Sequence, residues 1–406
     1  MADTKENLIK RLQTIRKKTV EICSHIENED YIVQPAPEVS PPKWHLAHTS
    51  WFFEELILSK SKKDYTPFNA EFRILFNSYY KAVGAHTIQA GRGNLSRPTV
   101  SEVMQYRTHI DDQLKELLTQ CDITGELLSL IETGIHHEQQ HQELLYMDIK
   151  AILASNQLPT AYVSTQLKDA PPPAQGWTNF EEGLVEIGYD GDDFSYDNER
   201  PPHKNYLYPF AISQSLVTNG DFLAFIQDNG YAQAKCWLSQ GWDWVNQERI
   251  RHPLYWIQSA EGWSEYTLHG LVPLDLNKPL VHISYFEAAA FANWKNLRLP
   301  TEQELEVFLA ASTTDEYEND YHPNNAQAAS GQVWCWTASQ YSPYPRFKAF
   351  DGLLNEYNSK FMCNQFVLKG GCVVTPKHHY RHSYRNFYHP EQRWMFSGIR
   401  LAKDIA

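Results

Sequence analysis

The segment GELLSLIETGIHHEQQHQELLYMDIKAILA, residues 125–154, gives the strongest indication of the fold in the first part of the chain. Its apolar residues recur with a helical period, which predicts one long helix. His137 and His141 stand at positions i and i+4 of this helix, so both imidazoles lie on the same face, one turn apart. This spacing suits a chelating pair, although a polar helix face that carries histidine explains an isolated pair equally well.

A second histidine cluster lies upstream in KWHLAHTSWFFEEL, residues 43–56. Its two histidines, His45 and His48, fall on an earlier predicted helix and could supply a third imidazole. Three neutral imidazoles suit Fe(II), Zn(II), Cu(II) or Ni(II), and ligand type alone does not choose among them. The residues therefore indicate a three-histidine metal site and leave the metal open.

The helical pattern extends over the whole N-terminal part and then stops. Apolar periodicity and a capping box at residues 99–102 predict helices over residues 5–26, 44–58, 103–118 and 125–154. Four main helices predict a bundle. A Pro-rich stretch follows, and beyond it short strand-like runs and long loops predict an α+β domain. We expect a helical domain over residues 1–155, a linker over 156–180 and an α+β domain over 181–406.

Composition limits the possible partners. The chain has 36 basic and 49 acidic residues and a formal charge of -13, which repels nucleic acid and anionic lipid. No run approaches the roughly 20 apolar residues of a membrane span, and the N-terminus has no apolar signal core. The 6 cysteines lack CxxC spacing, which predicts reduced thiols. We expect a cytoplasmic protein that binds neither nucleic acid nor membrane; its oligomeric state stays open.

Several motifs resemble known families. The N-terminal part resembles the DinB-like four-helix bundle. The C-terminal part resembles the formylglycine-generating-enzyme (sulfatase-modifying factor) fold, which is related to C-type lectins, in LRLPTEQELE, GQVWCWTAS and VLKGGCVV. The combination is similar to the EgtB-type sulfoxide synthases of ergothioneine biosynthesis over nearly the whole chain, with WHLAH, HEQQHQE and YRNFYHP as the specific motifs.

The resemblance implies a metal and its ligands. Fe(II) would be bound by His48, His137 and His141, while His45 and His136 would be neighbours that do not bind the ion. It also implies O2 as a co-substrate. The reaction would form a C–S bond between the imidazole of hercynine (trimethylhistidine) and a thiol, and would leave the sulfur as a sulfoxide.

The same resemblance implies how hercynine is bound. Gln140 and Asn386 would contact its imidazole, and Phe387 occupies the aromatic position beside that asparagine. Gln140 also stands at i+3 from His137 and therefore projects near the metal. Apart from the resemblance, Gln140 is an ordinary polar helix residue.

Two further functions are implied near the site. Tyr79 and Tyr80 match the catalytic tyrosines of one branch, where one hydroxyl donates a proton or hydrogen atom in the oxygen-dependent step. Adjacent residues cannot both face one point, and we favour Tyr80; packing is the alternative role for both. Arg92 would hold a substrate carboxylate, with a solvated surface arginine as the alternative.

The sulfur donor is indicated by departures from the family pattern. Tyr388 and Gln392 stand where members that use γ-glutamylcysteine carry an aspartate and an arginine. The segments FNSYYKAVG, residues 76–84, and RGNLSRP, residues 92–98, are features of the branch that uses free cysteine. We therefore expect cysteine as the donor. The alternative donors are γ-glutamylcysteine and, in a selenoneine synthase, a selenosugar. The alternative functions are a zinc thiol transferase and a DinB-like metal-binding module that is not an enzyme.

Overall fold

The computed structural model describes residues 5–120, 125–158, 160–312 and 320–405. The chain divides into two compact units. The first unit comprises Met1–Tyr162 and a short segment from far along the chain, Asp351–Glu356. The second unit comprises Val163–Phe350 and Tyr357–Ala406.

The first unit is a helical bundle. Its helices are α1 (Lys5–Cys23), α2 (Pro42–Phe53), α3 (Ser59–Ser61), α4 (Phe72–Leu75), α5 (Val100–Gln120) and α6 (Gly125–Ala154). Helix α1 packs on α6, and α2 packs on both α5 and α6. The predicted four-helix bundle is confirmed, and its long helices lie where apolar periodicity indicates them. The predicted capping box is also present, since the Glu102 backbone N–H donates to Thr99 Oγ1 at 3.2 Å.

Helix α2 ends in a π-helical turn, Glu54–Leu58. Glu54 is the first residue of this turn, and its side chain is buried. Its carboxylate accepts hydrogen bonds from the Tyr106 hydroxyl at 2.5 Å, the Tyr65 hydroxyl at 2.8 Å and the Phe68 backbone N–H at 3.0 Å. Because Tyr106 belongs to α5, this carboxylate joins the end of α2 to α5. The π turn therefore has a polar anchor that fixes α2 in the bundle.

The second unit combines short strands, helices and long loops. Its helices are α7 (Asn219–Gln227), α8 (Ser239–Gln247), α9 (Tyr285–Trp294) and α10 (Glu302–Ala311). Its strands are β1 (Trp177–Phe180), β2 (Gly183–Ile187), β3 (His203–Leu207), β4 (Phe210–Leu216), β5 (Trp256–Ser259), β6 (Gly262–Thr267), β7 (Gly270–Pro273), β8 (Trp334–Gln340), β9 (Phe366–Lys369), β10 (Asn386–Tyr388), β11 (Ser397–Gly398) and β12 (Arg400–Asp404). The predicted α+β class is confirmed, and β1 begins within residues 156–180.

The strands form four small sheets with the orders β1-β4-β12, β10-β9-β8-β11, β2-β3 and β5-β6-β7. All pairs are antiparallel except β11 with β8. Helices α7, α9 and α10 each begin with a capping box, in which Thr218, Ser284 and Thr301 accept a backbone N–H at the third helical position. Short polar signals in the sequence therefore set the helix starts in this loop-rich unit.

The composition of the chain predicts reduced cysteines and no helix that spans a membrane. Cys23, Cys236, Cys335, Cys363 and Cys372 form no disulfide with one another, whereas Cys121 lies outside the described residues. None of the helices within the described ranges is long and apolar enough to cross a membrane.

Candidate metal centre

Three buried histidines from α2 and α6 meet inside the first unit. The ligand atoms of His48, His137 and His141 all lie within 4.8 Å of one another. Burial holds the pKa of each imidazole well below its usual value, so the three rings are neutral and can offer lone pairs. Three neutral imidazoles in one buried cluster fit a transition-metal ion such as Fe(II).

The orientation of His48 is fixed on three sides. Its Nδ1 lies 2.7 Å from the Phe76 carbonyl oxygen, which can only accept, so Nδ1 carries the proton and Nε2 is left with a lone pair. Its ring stacks between Trp44, at 4.5 Å between centroids, and Trp51, at 5.3 Å. Hydrogen bond and stacking together set the direction of the Nε2 lone pair.

The two helices that carry the histidines approach closely because Gly134 on α6 has no side chain. A Cβ at this position would lie 2.5 Å from Cε1 of Phe53 at the end of α2. The neighbouring Phe52 ring stacks on His137 at 4.2 Å between centroids. A glycine and an aromatic pair therefore bring α2 against the metal face of α6.

A buried ion cluster holds the neighbouring face of α6, about 100° around the helix from His137. The Glu138 carboxylate is 0% exposed, accepts from Arg16 Nη1 at 2.9 Å and Thr19 Oγ1 at 2.6 Å, and forms an ion pair with Arg107. Arg16 and Thr19 belong to α1 and Arg107 to α5, so one carboxylate joins three helices. Because Glu138 directly follows His137, this cluster also sets the rotation of α6 that places its histidines.

Arg92 is buried, which excludes the solvated surface arginine. Its guanidinium lies 3.3 Å over the Trp44 ring, and Nη1 donates to Ser40 Oγ at 2.8 Å. Within the described part of the chain its buried Nε has no hydrogen-bond partner. Burial lowers the pKa of the guanidinium to about 9. A buried cation with an unused donor is suited to a carboxylate ligand.

The two tyrosines lie in a loop that is tied to His48. Tyr80 is fully buried with its ring 5.6 Å from that of Trp51, and the half-buried Tyr79 stacks on it at 4.7 Å. The structure therefore places the Tyr80 ring beside Trp51, whose ring stacks on His48, and the Tyr79 ring against Tyr80.

Two residues not predicted from the sequence brace this loop. Buried Asn77 accepts from the Tyr80 backbone N–H at 2.9 Å and donates to the Tyr80 carbonyl at 2.9 Å. The Glu356 carboxylate accepts the backbone N–H groups of Lys81 at 3.2 Å and Ala82 at 2.9 Å. Asn77 stands three residues before Tyr80, and asparagine at such a position is a turn signal that the sequence contains. The role of Glu356 is not indicated by the residues around it in the sequence.

The remaining candidate residues lie on separate elements. Gln140 is half-buried on α6, one turn from His137. Asn386 and Phe387 are half-buried on β10 of the second unit, where the Phe387 ring stacks on Tyr341 at 4.0 Å between centroids. Asn386 Oδ1 accepts the Phe387 backbone N–H at 2.9 Å, so the side-chain amide presents its Nδ2 as a donor.

Comparisons with known proteins agree with this architecture. Residues 164–330 and 326–405 match the sulfatase-modifying factor enzyme 1-like domain, and residues 11–145 match the DinB superfamily. The chain is 28% identical over 436 residues to the hercynine oxygenase of Mycobacterium tuberculosis, covering 98% of this chain and 99% of that protein. It is 26% identical over 443 residues to the hercynine oxygenase of Mycolicibacterium smegmatis, covering 99% of each.

A partial match extends the comparison to a fungus. Ergothioneine biosynthesis protein 1 of Schizosaccharomyces pombe is 26% identical over 232 residues, which are 52% of this chain and 28% of that protein. The chain belongs to the sulfatase-modifying factor enzyme 1-like family and, with a DinB-superfamily bundle before that domain, has the organisation of an EgtB-type enzyme.

Proposed function

We propose that this chain is a non-heme iron, O2-dependent sulfoxide synthase of ergothioneine biosynthesis that joins the imidazole of hercynine to cysteine. The observation that carries the proposal is the buried cluster of His48, His137 and His141 in a chain whose full-length relatives are named hercynine oxygenases. Bound there, Fe(II) would supply O2 chemistry that side chains alone lack. Overall, one C–H and one S–H bond are lost, a C–S and an S–O bond form, and O2 is reduced to sulfoxide oxygen and water.

Arg92 supports the assignment of an amino-acid substrate. Its guanidinium is fixed by Trp44 on one face and by Ser40 at Nη1, so little side-chain entropy is lost when a ligand binds. In a buried setting a charge-assisted hydrogen bond to a carboxylate is strong. We assign Arg92 to a substrate carboxylate beside the histidine cluster.

We expect Gln140→Ala and Asn386→Ala each to raise the KM for hercynine more than the KM for cysteine. Both side chains are amides, and we propose that each exchanges a hydrogen bond with the imidazole. Loss of one such bond costs about 1–3 kcal/mol when its partner stays buried, which corresponds to roughly 5- to 150-fold. Steady-state kinetics with both substrates varied measures the two values.

Gln139→Ala is the matched control for Gln140, because it is the preceding amide on the same helix. It should leave the KM for hercynine near that of the unmodified enzyme. Equal changes in the KM of hercynine and cysteine in either test variant would count against an imidazole-binding role for that residue.

Removal of a tyrosine hydroxyl near the site should change the product. We expect Tyr80→Phe to shift oxygen use from the sulfoxide towards cysteine sulfinate, because C–S coupling competes with simple oxidation of the thiol. Phenylalanine keeps the ring contacts of Tyr80 with Tyr79 and Trp51 and deletes only the hydroxyl donor. Mass spectrometry of both products gives the ratio, with iron content measured alongside.

Tyr79→Phe is the comparison, and we expect a smaller shift from it. If both variants keep the ratio of sulfoxide to sulfinate of the unmodified enzyme, the tyrosines are packing residues and the donor role is wrong.

The test of the proposed function is aerobic incubation of the iron-loaded protein with hercynine and a sulfur or selenium donor. We expect O2 uptake that requires hercynine and cysteine together, and a product with the mass of the hercynine–cysteine sulfoxide. An enzyme that is equally active without O2, or metal uptake without O2 consumption, would refute the oxygenase.

Free cysteine should exceed γ-glutamylcysteine in kcat/KM. Tyr388 and Gln392 provide no charge for a second carboxylate, and the Gln392 side-chain oxygen Oε1 already accepts the His389 backbone N–H at 3.0 Å. Direct competition of the two thiols, with a selenosugar as a third donor, measures the preference. A clear preference for either alternative donor would replace cysteine in the proposal.

A further inference from the structure

A buried hydrogen-bonded chain leads from a carboxylate to one histidine of the metal cluster. Asp148 Oδ2 lies 2.8 Å from His45 Nε2, and His45 Nδ1 lies 2.8 Å from His141 Nδ1. Asp148 is 2% and His45 is 1% exposed, so water does not compete for these bonds. The Ser40 backbone N–H donates to the same Asp148 oxygen at 2.9 Å and fixes the carboxylate in place.

The chemistry of the chain determines where its protons lie. A carboxylate accepts, so the His45 nitrogen that faces Asp148 carries a proton. In neutral His45 the other nitrogen, Nδ1, is then an acceptor. His141 Nδ1 must therefore donate to it, which leaves His141 Nε2 with the lone pair. In this tautomer His141 can offer the Nε2 lone pair to an ion.

We propose that Asp148 and His45 are positioning residues that hold His141 in its metal-binding tautomer and strengthen it as a ligand. The inference rests on the proposed metal site. A carboxylate that accepts from a ligating imidazole fixes the ring and raises its basicity. Here a second histidine lies between the carboxylate and the ligand, so His45 is a relay and not a fourth ligand.

The geometry separates His45 from the ligands although it lies on the same helix as His48. His48 donates from Nδ1 to a backbone carbonyl, whereas both nitrogens of His45 lie at hydrogen-bond distance from side chains. With both nitrogens engaged, His45 has no lone pair left for an ion. The alternative is that Asp148 and His45 only stabilise the bundle, and the two roles differ in what the conservative variant rescues.

The experiment measures Co(II) and Fe(II) affinity in folded variants of the full chain. We expect His45→Phe and Asp148→Leu to weaken binding about 10- to 100-fold, the range typical for loss of a carboxylate partner of a metal ligand. His45→Gln can accept from His141 with its carbonyl and donate to Asp148 with its amide, so it should stay within about threefold of the unmodified protein. The visible spectrum of bound Co(II) should change in His45→Phe and return in His45→Gln.

His109→Phe is the matched control, a histidine of α5 in the same bundle whose ring packs on Phe68. It should leave Co(II) affinity unchanged. Affinity within twofold of the unmodified protein in folded His45→Phe and Asp148→Leu overturns the inference, as does equal weakening by His45→Gln and His45→Phe. His141→Ala tests the metal site separately from the relay, because full Co(II) binding by that variant refutes the metal site itself.

A measurement on the unmodified protein tests the relay even when the variants do not fold. Histidine nitrogen NMR of the Zn(II)-loaded chain should show His141 protonated at Nδ1 and metal-bound at Nε2, with His45 protonated at Nε2 and not bound to the ion. Metal on His45, or His141 bound through Nδ1, would contradict the relay.

Discussion

Replacing His137 by alanine is expected to remove most of the bound iron and nearly all sulfoxide formation. Three neutral imidazoles are the ligands that the cluster offers, and two histidines leave too few donors to hold the ion against water. His48→Ala and His141→Ala should have the same effect, because the ligand atoms of all three lie within 4.8 Å of one another. Iron per folded chain after anaerobic reconstitution is the measurement, with product formation as a second readout.

His136→Ala and His109→Ala are the controls, one beside the cluster on α6 and one on α5. We expect His136→Ala to be milder than loss of a ligand and His109→Ala to keep its iron. Full iron occupancy in His137→Ala would contradict the assignment of the ligands, whatever happened to activity. Loss of iron in His109→Ala would instead point to general instability of the bundle.

The sequence predicts most of the helical fold because the signals are local. Apolar residues at helical spacing fix the rotation of each helix, and the predicted segment 125–154 coincides with α6. The predicted segment 44–58 contains α2 and its π turn, but apolar periodicity does not reveal a change from α to π geometry. That change depends on Glu54 and its partners on other elements, which lie up to 52 residues away.

The site is predictable only in part for the same physical reason. The spacing of His137 and His141 indicates two ligands of one metal ion. Spacing alone does not show whether His45 or His48 on α2 is the third ligand. The hydrogen bond from His48 to Phe76 and the pairing of His45 with Asp148 separate them, and each depends on tertiary contacts. The family resemblance implies His48 as the third ligand, and these hydrogen bonds give a physical reason to prefer His48 over His45.

Burial of charge is the other feature that the sequence does not reveal. Arg92 reads equally well as a solvated residue, but it is buried over Trp44. Arg16, Arg107 and Glu138 read as ordinary polar positions of amphipathic helices, whereas they meet inside the bundle. The three residues are 31 to 122 positions apart along the chain, so no short window of sequence contains the signal.

The second large effect is expected from Glu138→Ala, which should lower the free energy of unfolding by about 3–5 kcal/mol. The change removes the carboxylate that pairs with both Arg16 and Arg107. Arg16 keeps its ion pair with Asp111, so the buried charge that loses its carboxylate partner is that of Arg107. Burying an uncompensated charge costs far more than the pair contributed. Urea unfolding of the metal-free protein measures the loss, so that ligand binding does not mask it.

Glu132→Ala is the matched control, because Glu132 lies on the same helix and pairs with Arg11 at 2.8 Å. Those side chains are 20% and 40% exposed, and a pair of this kind contributes about 0–1 kcal/mol. Equal losses in Glu138→Ala and Glu132→Ala would show that the buried cluster is not a major source of stability.

A triple variant tests whether the cluster acts through charge or through shape. Glu138→Leu combined with Arg16→Met and Arg107→Met removes the three buried charges and keeps an approximately equal volume. Asp111, the other partner of Arg16, has a side chain that is 39% exposed and can be solvated, so the variant should recover much of the stability that Glu138→Ala loses. Glu138 also fixes the rotation of α6, whose neighbouring face carries His137 and His141 to His48. We therefore expect the triple variant to bind Co(II) more weakly than the unmodified protein even where it is as stable. Unchanged Co(II) affinity at equal stability would show that packing alone sets the helix rotation.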